Sequence, residues 1–114
     1  MTIRSTDTEW VEGIRVPTET TLKKYGLTVS TWLDLAALEG FTCAICEKKP
    51  KSGVLHIEHE HARRWKKMPP EQRVLFIRGL VCQFCNRFVL ARTITLRKAR
   101  RIVWYLERYE GRST

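Results

Sequence analysis

At 114 residues, the chain is one domain's worth of sequence, with a core modest enough for a metal staple to matter. A hydrophobic fraction of 43% excludes a disordered chain, and apolar runs that are short and broken by charge exclude a membrane-spanning helix. The net charge of +9 points to a polyanion as partner, nucleic acid before an anionic membrane surface.

The charge is unevenly spread. Residues 1–62 carry 7 basic and 9 acidic groups, a balance of −2, whereas residues 63–110 carry 13 basic and 3 acidic groups, a balance of +10. Such an asymmetry marks a polyanion-binding face. The start, Met1 to Asp7, lacks the apolar stretch of a secretory signal, so a cytoplasmic location is expected. In that reducing setting the four cysteines favour metal over disulfides.

In chain order, residues 1–24 read as an extended or partly ordered arm, with Trp10, Ile14 and Val16 as docking points. A helix follows, capped by Thr28 and stopped by Gly40 in the C′ position. Its core face is Val29, Trp32, Leu33 and Ala36. Cys43-Ala-Ile-Cys46 is a first knuckle, and residues 47–53 form a polar loop. Val54 to His61 reads as a strand, the second arm of a short hairpin or the start of a turn. Pro69 and Pro70 fit a helix start, and Gly79 fits a close approach before the second knuckle, Cys82-Gln-Phe-Cys85. A short helix is expected from about Cys85 to Leu90. A last helix, capped by Thr95, covers about 96–109 with Leu96, Ala99, Ile102, Val103 and Leu106 on one face. The domain division is an arm at 1–24, a core at 25–92 and a C-terminal amphipathic helix with tail at 93–114, all within one α+β domain.

The cysteine spacing, C-x2-C-x35-C-x2-C, fits Cys43, Cys46, Cys82 and Cys85 as ligands of one structural zinc. The gap exceeds the roughly 15–20 residues of simple zinc ribbons, so a disulfide or redox use stays open on spacing alone. Four thiolates leave the metal no open position, which gives this ion scaffolding and not catalysis.

His56-Ile-Glu-His-Glu-His61 holds all three histidines. Strand alternation sends His56, Glu58 and Glu60 to one side and Ile57, His59 and His61 to the other. Phosphodiester hydrolysis needs a base for water and a cation at the phosphate oxygens. An imidazole, a carboxylate and the carboxamide of Asn86, set beside Cys85, supply those donor types. The same residues also fit a solvated strand, a second structural metal site and, for Asn86, a helix cap.

Tyr25-Gly-Leu-Thr28, the Cys43–Cys46 pair, Leu55-His-Ile-Glu-His-Glu-His61 and Arg78-Gly-Leu-Val-Cys-Gln-Phe-Cys-Asn-Arg87 together resemble the phage recombination endonuclease VII family, over about residues 22–90. That family belongs to the His-Me finger (HNH-like, ββα-metal) superfamily. The resemblance implies a zinc-anchored ββα-metal core that cleaves branched DNA such as Holliday junctions as a homodimer, in a host cytoplasm if phage-encoded. By position it makes His59 the general base, Glu58 and Asn86 the ligands of a catalytic Mg²⁺ or Mn²⁺, His56 and His61 flanking catalytic histidines, and the cysteines the zinc ligands. Cleavage by that route leaves 5′-phosphate and 3′-hydroxyl ends. Two departures stand out: Glu58 where the family usually has Asp, and a longer segment from Ala62 to Ile77.

Arg63, Arg64, Lys66, Lys67, Arg78 and Arg87 form the expected DNA-binding track, with Arg73 and Arg92 extending it. The main expectation is a structure-selective DNA endonuclease. The alternatives are an HNH-type nicking or packaging-associated endonuclease and a zinc-stabilised DNA-binding module that does not cleave.

Overall fold

The computed structural model describes residues 9–113; the first eight residues of the expected arm, and Thr114, lie outside the described residues. The described chain begins with a hairpin of β1 (Trp10–Val11) and β2 (Ile14–Arg15). Glu12 and Gly13, at φ 52° and 81°, make the two-residue turn, the mirror-image type whose twist matches paired strands. Lys49 Nζ donates to the Glu12 carbonyl, and Arg15 N–H donates to the Gly53 carbonyl at 2.7 Å, seating the hairpin on the 47–53 loop.

Helix α1 (Glu19–Lys24) follows, capped by Thr18, whose hydroxyl accepts from Thr21 N–H. The sequence reads here as an extended or partly ordered arm docked by Trp10, Ile14 and Val16. Ile14 and Val16 are buried in the core together with Leu22, whereas Trp10 is exposed, and that apolar burial ties the N-terminal elements to the body.

Helix α2 (Val29–Leu38) has the punctuation expected of it. Thr28 and Thr31 cap each other reciprocally at its start. At its end Gly40 N–H donates to Ala37 O at 3.0 Å and Phe41 N–H to Ala36 O at 2.8 Å. This 5→2 and 6→1 pair is the Schellman stop, with Gly40 at φ 63°. Trp32 is fully buried beside Ala36, Leu27, Leu55 and Leu80, which excludes it from stacking on a base.

The second sheet pairs β3 (His56–His59) antiparallel with β4 (Ile77–Val81). The histidine strand is therefore the first arm of a wide hairpin, not the second arm of a short one. Its long connection holds a 3₁₀ turn (Trp65–Lys67), α3 (Pro70–Arg73) and another 3₁₀ turn (Val74–Phe76). Gly26, at φ +73°, lies against this connection: a Cβ there would fall 2.3 Å from the Pro70 carbonyl oxygen. Gly79, expected to allow a close approach, has nothing within 4 Å of a built Cβ.

The short helix expected from about Cys85 to Leu90 is present over those residues, as a π-helical turn. Helix α4 (Leu96–Ser113) starts at a Thr95 cap, with Lys98 N–H donating to its hydroxyl at 3.1 Å. The stripe of Leu96, Ile102, Val103 and Leu106 is exposed, so α4 does not close the monomer's core. Arg101 and Arg108 lie over the Trp104 ring at 4.0 and 4.9 Å. The molecule extends 63 × 33 × 19 Å, and no helix among the described residues is long and apolar enough to cross a membrane. It is a small α+β fold with two two-stranded sheets.

Candidate functional site

The cysteines come together from two distant knuckles. The Sγ atoms of Cys43, Cys46, Cys82 and Cys85 all lie within 4.8 Å of one another, and Cys46 and Cys82 are 3.9 Å apart without a disulfide. Four sulfurs about 2.3 Å from a central zinc stand roughly 3.8 Å apart, so the donor set fits a tetrahedral thiolate site. Backbone geometry favours the charged form. Ile45 and Cys46 N–H groups donate to Cys43 Sγ, and Cys85 N–H donates to Cys82 Sγ. Burial pushes the Cys43 thiol up, and the backbone amides of Cys46, Cys82 and Ile45, with the Cys46 side chain, more than offset it, bringing it to about 6. Cys85, desolvated and facing the other three sulfurs, is pushed up to about 12. Burial is the largest cause, followed by the hydrogen bonds from the other three thiols.

The knuckles also place the histidine strand. Ala44 N–H donates to Leu80 O at 3.0 Å, joining the first knuckle to β4. β4 registers β3: His56 pairs Val81, Ile57 pairs Leu80 and Glu58 pairs Gly79, but His59 pairs Ile77. Arg78 is thus the extra residue of a β-bulge. In an unbroken ladder it would face His59, across the sheet from Glu58. A bulge re-aims its side chain, and Arg78 instead reaches Glu58.

Glu58 is only 4% exposed and is gripped by that guanidinium. Arg78 Nε donates to Oε1 at 2.9 Å and to Oε2 at 3.2 Å, and Nη2 also donates to Oε2. The hydrogen bonds to Glu58 hold the Arg78 pKa above its ordinary value. Carboxylate and carboxamide oxygens are the donor types a hard cation takes, so Glu58 and Asn86 fit one in kind. A cation at Glu58 would have to displace the guanidinium.

His56, His59, His61 and Asn86 line one cleft of about 400 Å³, with Arg15, Thr18, Thr21 and Tyr25 among the residues of its walls. His59 and His61, with ring centroids 4.8 Å apart, also border a second cleft of about 540 Å³ lined by Arg64, Trp65, Lys66, Lys67 and Arg92. The two histidines form the ridge between a polar cleft and a basic one. His59 Nδ1 lies 2.9 Å from the Glu60 carbonyl, which can only accept; Nδ1 carries the proton and Nε2 of the neutral ring is the free acceptor. Partial burial first, then repulsion by His59 when it is protonated and by Arg92 and Arg78, lowers the His61 pKa from 6.5 against the opposing pull of Glu58.

Of the expected DNA track, Arg64, Lys66 and Lys67 line the basic cleft. Arg63, Arg78 and Arg87 line neither: Arg78 is held by Glu58, and Arg87 lies over the Phe88 ring at 5.3 Å. Arg15 and Tyr25 were not singled out for the site from sequence. Arg15 sits in the stretch read as an arm, and only its hairpin partner and the 53 loop bring it to the cleft.

The family model of recombination endonuclease VII matches residues 18–108. The chain belongs to the recombination endonuclease VII family. No curated protein and no solved structure matches it significantly. Endonuclease VII membership makes the chain a nuclease with DNA as its substrate, and the match spans both knuckles, the histidine strand and most of α4. It begins just after Arg15, so this wall of the cleft lies outside the matched region.

Proposed function

We propose that this chain is a metal-dependent endonuclease selective for branched DNA, with His59 as general base. The observation that carries this reading is the convergence of His56, His59, His61 and Asn86 on one cleft, with the Nε2 of His59 left as the acceptor. In it, His59 Nε2 takes the proton of the attacking water, and His61 and His56 orient the water and the phosphate. Glu58 and Asn86 would hold Mg²⁺ or Mn²⁺, which supplies stabilisation of charge on the phosphate and leaving oxygens. The products would carry 5′-phosphate and 3′-hydroxyl ends. The Cys43, Cys46, Cys82 and Cys85 tetrad would hold a structural zinc ion and so fix Asn86 and β4. The superfamily's ββα-metal core would be β3, β4 and the Cys85–Leu90 turn.

DNA would cross the histidine ridge. Its backbone would occupy the basic cleft at Arg64, Lys66 and Lys67, with Arg63 and Arg87 on the approach and Arg78 available once it leaves Glu58. Two cuts resolve a junction, so a symmetric pair of chains fits the task, and the exposed Leu96, Ile102, Val103 and Leu106 stripe of α4 suits a homodimer contact.

A second reading, a zinc-stabilised DNA-binding module without cleavage, is favoured by the commitment of the Glu58 carboxylate to Arg78. Incubation of the zinc-loaded chain with branched and linear DNA and Mn²⁺ separates the possibilities. Cleavage of branched DNA alone supports the proposal, cleavage of linear DNA supports an HNH-type nicking or packaging enzyme, and binding without cleavage supports the module. Retention of cleavage by His59→Ala removes His59 as the base.

A further inference from the structure

Trp65 belongs to neither the cysteine nor the histidine pattern, yet its indole lies flat against His59. The ring centroids are 3.7 Å apart and the planes differ by 4°. Tyr25 makes only tilted contacts with the same two rings, at 6.1 Å and 45° to His59 and 6.1 Å and 42° to Trp65. The stack is the one face-to-face ring contact recorded among the described residues.

Trp65 is itself held from behind. The Arg73 guanidinium lies 5.3 Å from the Trp65 ring centroid. Its Nε donates to Trp65 O at 3.2 Å, Nη2 to Lys66 O at 3.1 Å and Nη1 to Lys24 O at 3.2 Å. A rigid planar fork that satisfies three carbonyls from two segments fixes the turn relative to α1. A line of contacts therefore runs from the end of α1 through Arg73 and Trp65 to the His59 ring.

The His59 ring needs such support. Torsion about the Cβ–Cγ bond of histidine is broad and only weakly stepped. The Nδ1–H bond to Glu60 selects the free nitrogen, but one hydrogen bond leaves the ring plane able to rock. A flat stack resists that rocking, because tilting the ring loses its whole contact face.

We propose that Trp65 is a positioning residue for His59, braced by Arg73, and that the stack sets the plane in which Nε2 meets the attacking water. This rests on the reading of His59 as the general base. Trp65 also borders the basic cleft, so its role in orientation must be separated from a simple contact to DNA.

The test compares Trp65→Ala, Trp65→Phe and Arg73→Gln with the parent, all as full zinc-loaded chains with Mn²⁺ and branched DNA. Two quantities are read: the proton chemical shifts of the His59 ring, measured before Mn²⁺ and DNA are added and assigned by loss in His59→Gln, and kcat separately from KM. In the parent, the indole ring current moves the His59 protons upfield. Trp65→Ala should return them to ordinary values and lower kcat about 10²-fold, the scale of a small misplacement of a reacting group, with KM nearly unchanged. Trp65→Phe should recover most of both, and Arg73→Gln should fall between. A rise in KM at unchanged kcat would make Trp65 a DNA contact and overturn the proposal, as would unshifted His59 protons in the parent. If Trp65→Ala does not fold, full kcat in Arg73→Gln with the His59 shift relaxed overturns it equally. Retained cleavage by His59→Ala would instead sink the base assignment, while the ring shift would still report the stack.

Discussion

Removing the guanidinium that grips Glu58 separates a structural ion pair from a carboxylate merely waiting for a metal. In Arg78→Met the side-chain stem stays and the charge goes. Stripping one partner from a fully buried pair costs about 3–5 kcal/mol, whereas an exposed pair is worth about 0–1 kcal/mol. This pair lies between, because Glu58 is 4% exposed but Arg78 is 38% exposed and partly screened by water. Water admitted where the guanidinium stood would relieve part of the cost, so about 2 kcal/mol is expected. For a domain of this size that corresponds to a fall of roughly 10 °C in Tm. Urea denaturation of the zinc-loaded chain should show the same loss as a lower midpoint at constant m.

The double variant Arg78→Met/Glu58→Gln no longer leaves a buried charge alone, and should recover about 1 kcal/mol relative to additivity. Strict additivity, or an unchanged midpoint in Arg78→Met, would refute the pairing as a stabilising contact. The same substitution frees the carboxylate, so Mn²⁺ should bind the DNA-free Arg78→Met chain more tightly than the parent, read from the electron paramagnetic resonance signal of free Mn²⁺. Weaker binding would mean that Glu58 is not the ligand.

Metal removal should unfold the chain: structural zinc contributes about 10–16 kcal/mol in small thiolate sites, as much as the roughly 5–15 kcal/mol of a whole domain. Elemental analysis should find one zinc per chain, and Cys82→Ser or strong chelation should abolish the near-ultraviolet circular dichroism; a metal-free chain that keeps that signal refutes this. Gly26→Ala should cost at least about 2 kcal/mol, since a left-handed backbone alone costs an L-residue about 1–2 kcal/mol and its Cβ would meet the Pro70 carbonyl. Gly79→Ala, with open space around it, is the control and should leave Tm close to the parent's. Nuclear magnetic resonance should give His61 a titration midpoint below 6.5. The unfolded chain then takes up this proton first, so the His61 contribution to stability is full above pH 6.5 and is lost as pH falls through the folded midpoint. A midpoint above 6.5 would contradict the partial burial of this largely exposed ring and the positive charges beside it.

Short-range signals carried much of this fold in the sequence. The Thr28 cap, the Gly40 stop and the Thr95 cap each act within one helical turn, so their residues alone define α2 and the start of α4. The cysteine tetrad was legible because spacing in pairs is itself a ligand geometry. Helix α1 was hidden because its cap, Thr18 with Thr21, resembles any Thr-rich turn, and because the hairpin turn uses Glu12-Gly13 and not the stronger Asn-Gly or Asp-Gly. The bulge at Arg78 has no local signature: it arises from pairing residues twenty apart, and it alone decides which face of the sheet the arginine serves. The Trp65 stack depends likewise on the path of residues 60–76. The periodicity of α4 was plain, whereas whether its apolar stripe met the monomer's own core was a matter of tertiary placement.

The thiolate site and the histidine cleft are coupled through very few bonds. Val81 ends β4 and Cys82 follows it directly, while Ala44 N–H holds Leu80 O from the other knuckle. The strand is thus clamped at one end by sulfurs from both halves of the site. Asn86 N–H donates to Cys82 O at 3.0 Å, which ties the carboxamide to the same knuckle one turn later. Every residue of β3 takes its position from β4, including the slip that brings Arg78 to Glu58. Loosening the sulfurs would therefore free both walls of the cleft together: Asn86 from one side, and the registered histidines from the other. Substitutions within the cleft have no such path back: His56 and His59 reach the knuckles through the strand ladder, and His59 Nδ1 is turned to its neighbour Glu60. Zinc loss should then abolish function by abolishing structure, whereas His59→Ala should abolish cleavage in a chain whose zinc content and melting remain near those of the parent.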